Sequence, residues 1–182
     1  MKTILVASDL SERSDRAVCR AIRIAGENGG TCQVVHVVDD DLPSELAPKY
    51  RTEAEIELSR FVEAEKGDVD ATARVIVGDP TEVIPAIAGE IEADLVVLGM
   101  HRKRRILDYL RETTMERLVR LMSRPVLLVH EHCDHAYDTV LAPVSFSPAC
   151  AAALRAARDL APKAKIEAFH VVSLPFVGLT GE

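Results

Sequence analysis

Tryptophan is absent from this 182-residue chain and aromatic residues make up only 4% of it, although almost half the residues are apolar. The interior must then be built from Val, Ile, Leu and Ala, which suits the aliphatic layers of an α/β fold. No apolar run approaches the roughly 20 residues of a membrane-spanning helix. The N-terminus enters a strand-like run at once instead of a signal peptide, so a cytoplasmic protein with no membrane partner is the expectation. The four cysteines, Cys19, Cys32, Cys133 and Cys150, contain no CxxC pair and lack disulfide-like density. Reduced thiols in a reducing compartment follow, with Cys19 on an apolar helix face and expected in the core. The length serves one complete domain with a real core plus an extra piece, and falls short of two such domains.

Positive charge is also scarce, but unevenly so. The formal net charge is −7, yet residues 101–124 hold eight basic side chains (Arg102, Lys103, Arg104, Arg105, Arg111, Arg117, Arg120 and Arg124) against Asp108, Glu112 and Glu116, a local +5 that leaves −12 for the rest. An acidic protein of this kind is a poor general nucleic-acid binder, and no nucleic-acid partner is expected. The local basic loop can attract a small anion or an acidic protein surface. Residues 39–70, with eleven carboxylates against four basic residues, offer such a surface on a second copy.

Hydrophobic patterning gives strands alternating with helices. Residues 3–9, TILVASD, form an apolar run too short for a helix and rich enough in β-branched residues for a buried parallel strand. Ser11 or Ser14 can cap the next helix, whose face carries Ala17, Val18, Ala21, Ile22 and Ala25, with Gly26 as its expected end. A second strand is expected over residues 33–38. Leu46, Tyr50, Ala54, Leu58, Phe61 and Val62 then trace an apolar stripe on an otherwise acidic helix, whose acidic face reads as solvated surface. Residues 71–77 read as the third strand. Asp79, Pro80 and Glu82 look like the cap, first position and capping box of a helix that Pro85 can kink. Residues 95–98 and 125–129 complete five strands. The alternation predicts a doubly wound five-stranded parallel sheet joined by right-handed crossovers.

After His135 the chain starts again. Residues 138–161 align without gaps on residues 2–25, matching Thr139 with Thr3, Leu141 with Leu5, Ser147 with Ser11 and Ala157 with Ala21. After a two-residue deletion, His36-Val37-Val38 recurs as His170-Val171-Val172. This is a tandem repeat interrupted after its second strand. The intervening His130, His132, Cys133 and His135 could ligate a metal; the alternative, which we adopt, is a polar linker with no metal.

The remaining signal lies in residues 92–131, where a strand ending at Gly99 feeds a long loop, a helix and a strand. A glycine at a strand end leading toward a helix N-terminus is a natural seat for phosphates. This stretch, with the Gly78-Asp79-Pro80 turn and the Arg124-Pro125-Val126 entry into the fifth strand, resembles the universal stress protein family. Its nucleotide-binding members carry Gly, two residues, Gly, nine residues, then Gly-Ser or Gly-Thr. Here Gly99 matches the first position, Arg102 and Glu112 stand at the second and third glycines, and Thr113 matches the hydroxyl. The resemblance implies a Rossmann-like, adenine nucleotide alpha hydrolase-like α/β fold. It divides the chain into a complete domain over 1–131, a linker over 132–137, and a partial β-α-β second repeat over 138–182. A chain of that organisation is expected to be a fragment, a truncated reading frame or a trimmed piece of a tandem protein.

Carried over residue by residue, the family's adenine-nucleotide site maps onto Asp9, Val37, Val38, Gly78, Gly99, Arg102 and Thr113. Two readings of the substitutions compete. Arg102, Lys103, Arg104 and Arg105 can supply side-chain cations in place of backbone amides, keeping ATP or another adenine nucleotide as ligand. Alternatively the pocket is closed, and Thr113 with Glu116 only caps a helix. We adopt the second, with no cofactor, because Glu112 beside the phosphates has no role in the first. Enzymatic alternatives find little support: residues 8–14 contain neither an SGGxDS-like loop nor an HIGH-like motif, and a phosphoacceptor receiver would need adjacent carboxylates where only Asp9 and Asp79 stand. His36 and His170 are expected as satisfied histidines inside buried strands. The expected protein is a non-enzymatic binding and association module of stress response. Its fifth strand should lie at a sheet edge, and a homodimer is expected.

Overall fold

The computed structural model describes residues 1–43, 45–100, 114–132 and 135–172. Two compact units divide them, Met1–Asp134 and His135–Glu182.

The first unit runs β1 (Thr3–Ser8), α1 (Glu12–Asn28), β2 (Thr31–Val38), α2 (Ala47–Glu65), β3 (Asp70–Val77), α3 (Pro80–Glu90), β4 (Leu95–Gly99), α4 (Thr114–Leu121) and β5 (Val126–Val129). Its five strands form one parallel sheet in the order β3-β2-β1-β4-β5. β5 is therefore an edge strand, as expected, and Leu128 on it is 38% exposed. β1 is central and reads as a continuous apolar run, because a parallel strand with helices on both faces has no wet side. Ile4, Leu5 and Val6 are all fully buried. Leu5, Val35, Val96 and Leu98 pack with Ile84, Ile87 and Ala88 of α3 and Leu118 of α4. Ala17, Val18, Ala21 and Ile22 of α1 and Leu58 and Val62 of α2 are buried as well, each closed side chain being worth about 1.5–3 kcal/mol for the larger aliphatics.

α1 starts at Ser11, in an extended conformation, with a reciprocal cap: the Ser11 hydroxyl accepts from the Ser14 N–H and the Ser14 hydroxyl accepts from the Ser11 N–H at 3.1 Å. Gly26 does not end the helix. The chain continues to Asn28 and stops at Gly29, whose φ of 56° is the left-handed geometry that a helix-ending glycine adopts at least cost. The α2 stripe is buried at Ala54, Leu58 and Val62 only; Leu46 and Tyr50, in the first turn, are 43% and 48% exposed. α3 begins at Asp79, whose carboxylate accepts from the N–H and the hydroxyl of Thr81, both at 2.7 Å, so the cap runs through Thr81 rather than Glu82. Cys19 is half-buried with its Sγ 3.5 Å from Glu65 Oε2; the cysteine in the core is Cys32, 1% exposed, whose thiol burial pushes up to about 12.

The second unit is β6 (Thr139–Pro143), α5 (Pro148–Leu160) and β7 (Lys165–Phe169), a parallel β-α-β unit. Its register, Thr139 on Lys165 through Pro143 on Phe169, repeats that of Thr3 on Thr31 through Ala7 on Val35. Leu10 and Phe146 share a left-handed φ, 58° and 57°. Ser147 caps α5 by accepting from the Cys150 N–H, as Ser11 does from Ser14. His36 Nδ1 donates to Ser8 O at 2.8 Å, and His170 Nδ1 to Val144 O at 2.7 Å. His170 is, however, exposed beyond the end of β7 and stacks at a tilt on Phe146, with ring centroids 5.0 Å apart, instead of sitting inside a buried strand. No residue of α5 is buried.

Candidate functional site

A parallel sheet exposes its ligand-binding edge where strand order reverses, at the carboxyl ends of the strands. Here the order reverses between β1 and β4, so the residues after Ser8 and at Gly99 flank that point.

On the β1 side, Ser8 and Ser14 are buried and their hydroxyls meet at 3.1 Å, while Leu10 N–H donates to Ser8 Oγ. This arrangement holds the left-handed turn at Leu10. Asp9 is exposed, and its Oδ1 accepts from the Ser11 N–H at 3.1 Å and from the Ser11 hydroxyl at 2.5 Å. The short Asp9 side chain therefore builds the entry to α1. On the β4 side, a Cβ on Gly99 would stand 2.9 Å from Arg13 O, 3.1 Å from Arg13 C and 3.2 Å from Ser14 Cα. The glycine is required by the approach of the first turn of α1 to the end of β4.

Val37 and Val38 end β2. Val38 is buried, its carbonyl accepts from the Gly78 N–H at 3.0 Å, and Gly78 has φ 156° with Val83 Cγ2 only 2.8 Å from where its Cβ would be. Thus Asp9 and Gly99 gather at the strand-order reversal, and Val38 and Gly78 gather at the neighbouring strand ends. Arg102 and Thr113, with Arg104, Arg105 and Glu112, lie outside the described residues, as does Cys133 of the histidine-rich linker. His130 Nδ1 meets Glu131 Oε1 at 2.5 Å. Arg16 and Arg20 of α1 donate to the carbonyls of His130 and His132, each at 3.3 Å, so α1 fixes the path leaving β5.

A cleft of about 330 Å³ opens between the end of β2 and α2. Among the described residues, Leu10, Val37, Val38, Leu42 and Tyr50 give it apolar walls, and Asp39, Glu53 and Glu57 bring three carboxylates. His36 also lines it; since a carbonyl only accepts, the bond to Ser8 O puts a proton on Nδ1. On α2, Tyr50, Glu53, Ala54 and Glu57 follow the i, i+3, i+4, i+7 spacing of one helix face. That spacing is the sequence signal for the cleft. Along the sequence it divides between an apolar stripe and an acidic face, and only the end of β2 identifies the two as one wall. Nearby, the Asp15 carboxyl is raised above its ordinary value, first by desolvation and then by repulsion from Asp9 and Glu57.

The sequence model of the universal stress protein family matches residues 1–130. The chain is 28% identical over 111 residues to universal stress protein A homolog 1 of Coxiella burnetii, covering 55% of this chain and 76% of that protein. It is 29% identical over 138 residues to a Staphylococcus aureus protein named as a universal stress protein, covering 70% and 83%. Among solved structures, a universal stress protein in complex with cAMP superposes with a TM-score of 0.58 at 27% identity, over 71% of this chain and 96% of that one. A member from Burkholderia pseudomallei superposes with a TM-score of 0.57 at 28% identity, over the same shares of the two chains. The chain belongs to the universal stress protein family. Its five-stranded parallel sheet is the α/β fold of those neighbours. Among the described residues, no helix is long and apolar enough to cross a membrane.

Proposed function

We propose that this stress protein works in the cytoplasm by binding and association, without turnover chemistry, and that its adenine-nucleotide site binds ATP weakly or not at all. The observation that carries this reading is Gly99: the first glycine of the ligand loop faces the backbone of Arg13 and Ser14, within 2.9–3.2 Å of where its Cβ would be, so helix packing accounts for it without a phosphate. The departures at Arg102 and Glu112 point the same way. Calorimetry with Mg-ATP checks it: no tight binding is expected, and a low-micromolar Kd overturns the reading. The relative bound to cAMP favours the alternative, an adenine-nucleotide binder in which Arg102 and Arg104 replace the glycine amides. In that case Arg102→Ala and Arg104→Ala weaken the measured affinity.

The second unit is a partial second repeat of the first; the shared register, the paired left-handed residues, the serine caps and the histidine bonds support this. Exposed Leu141, Phe146, Val171 and Val172 in that unit, and the edge strand β5, supply the surfaces for a homodimer. Light scattering on the intact chain tests it, a stable monodisperse monomer being the refuting result. The basic segment 102–105 recruits an acidic protein surface, an association that should weaken steeply with salt.

A further inference from the structure

Asn28 is the only asparagine in the chain, and it is followed by a glycine; no aspartate is. That dipeptide has a chemistry of its own, because asparagine is thermolabile and a glycine nitrogen, with no Cβ beside it, approaches the preceding side-chain carbonyl most freely. The Gly29 nitrogen attacks Asn28 Cγ, its proton passes to solvent base, the Cγ–Nδ2 bond breaks and ammonia leaves. Water then opens the cyclic imide at either carbonyl, which gives aspartate or an isoaspartyl link. Nothing is oxidised or reduced, and water is the only co-reactant. We propose that Asn28–Gly29 is a covalent modification site of this kind, held shut by the C-terminal cap of α1 and opened when the Lys2 brace on that cap is lost.

The fold opposes each part of the attack. Asn28 Nδ2 donates to Ile24 O at 2.8 Å, which turns the carboxamide back over the preceding turn of α1. The Gly29 N–H donates to the carbonyls of Ala25 and Gly26, so the nucleophile is engaged and its proton held. Lys2 Nζ donates to Asn28 O at 2.7 Å and to Gly29 O at 3.3 Å, fixing the carbonyls on both sides of the bonds that must rotate. Lys2 is itself tied in, since its carbonyl accepts from the Thr31 N–H at 2.7 Å. The site lies at the surface, with Asn28 half-buried and Gly29 exposed, so base and water reach it once these bonds open, and the bonds of an exposed helix end open locally at low cost. The connection itself has no need of asparagine: α5 and β7 make the corresponding link through residues 161–164, Ala-Pro-Lys-Ala. Either product weakens the joint. Aspartate adds negative charge at the negative end of α1. An isoaspartyl link adds a methylene to the backbone between α1 and β2, so the reaction records irreversibly how long the cap has been open.

The test incubates the full chain at mildly alkaline pH and follows deamidation by peptide mapping, with chromatographic separation of the aspartyl and isoaspartyl products. With one asparagine and no Asp-Gly pair, an isoaspartyl signal from this segment has one source. Wild type in buffer should react about tenfold more slowly than the same chain unfolded in guanidinium chloride. Lys2→Met, which keeps the aliphatic stem and removes the donor, should react about threefold faster than wild type in buffer, and Lys2→Arg should return the rate toward wild type. Thermal melts establish that each variant is folded at the incubation temperature, and the comparison of native with unfolded wild type needs no variant at all. Equal rates for native and unfolded wild type overturn the proposal. So does a folded Lys2→Met that reacts at the wild-type rate, and so does aspartate formed without isoaspartate, which would exclude the imide.

Discussion

Replacing Gly99 by Ala is the sharpest test of the packing at the strand-order reversal. Its φ is not in the left-handed region, so alanine has no local backbone penalty, and the cost is purely one of contact. The added Cβ would meet Arg13 O at 2.9 Å, Arg13 C at 3.1 Å and Ser14 Cα at 3.2 Å, all backbone atoms. A side chain could swing aside; these atoms cannot, because the Ser11–Ser14 capping box and the Ser8–Ser14 hydroxyl contact anchor that turn. Relief requires α1 and β4 to separate by about half an ångström, an overpacking of the kind that costs roughly 1–3 kcal/mol. Taking about 2 kcal/mol and a domain of this size, the Tm should fall by about 7 °C. The matched control is Gly89→Ala in α3, where an added Cβ meets nothing within 4 Å. Exchanging a helical glycine for alanine there should stabilise by about 0.5–1 kcal/mol. Urea and thermal unfolding followed by circular dichroism read both variants. Gly99→Ala unfolding at the wild-type midpoint would refute the packing argument and return Gly99 to the role of a ligand glycine.

Ser11→Ala removes the acceptor for the Ser14 N–H and the donor to Asp9, and should cost about 1 kcal/mol in urea unfolding; a variant as stable as wild type would show the cap to be redundant. Cys32, buried and with its thiol pushed up to about 12, should resist a thiol reagent at pH 8 while half-buried Cys19 and Cys150 react, as read by peptide mapping; modification of Cys32 at a comparable rate would contradict its burial. Asp94 accepts from the N–H groups of Lys2 at 2.6 Å and Thr3 at 3.2 Å, and the Lys2 bond is the leading cause holding its carboxyl below the ordinary value. The folded pKa being depressed, the stability this supplies is complete above the unfolded value near pH 4 and is lost as pH falls through the folded one. Asp94→Asn should therefore be less stable than wild type at pH 7 and converge with it as the pH falls through the titration of the folded carboxyl; a gap independent of pH would show that the charge is irrelevant.

The sequence alone determined the fold class, because in a doubly wound sheet the signals are local and repeated. The unbroken apolar run of β1, the spacing of Ala17, Val18, Ala21 and Ile22, the Asp79-Pro80 start of α3 and the Gly99 terminus of β4 each report a nearest-neighbour preference of the chain. The recurrence of residues 2–25 at 138–161 was equally legible, since it needs only identity at a fixed offset. Ends of elements were less so: Gly26 looks like a terminus in the sequence, but the helix runs to Asn28 because it is Gly29 that takes the left-handed cap, its N–H donating to the carbonyls of Ala25 and Gly26. Tertiary structure alone decided what the glycines and acids pack against. Whether Gly99 yields to a phosphate or to α1 depends on where Arg13 and Ser14 come to rest, which is a distance between segments far apart in the chain. Whether Tyr50, Glu53 and Glu57 face water or a cleft depends on the placement of α2 against the end of β2. Periodicity names the face of a helix, and only packing supplies what that face meets.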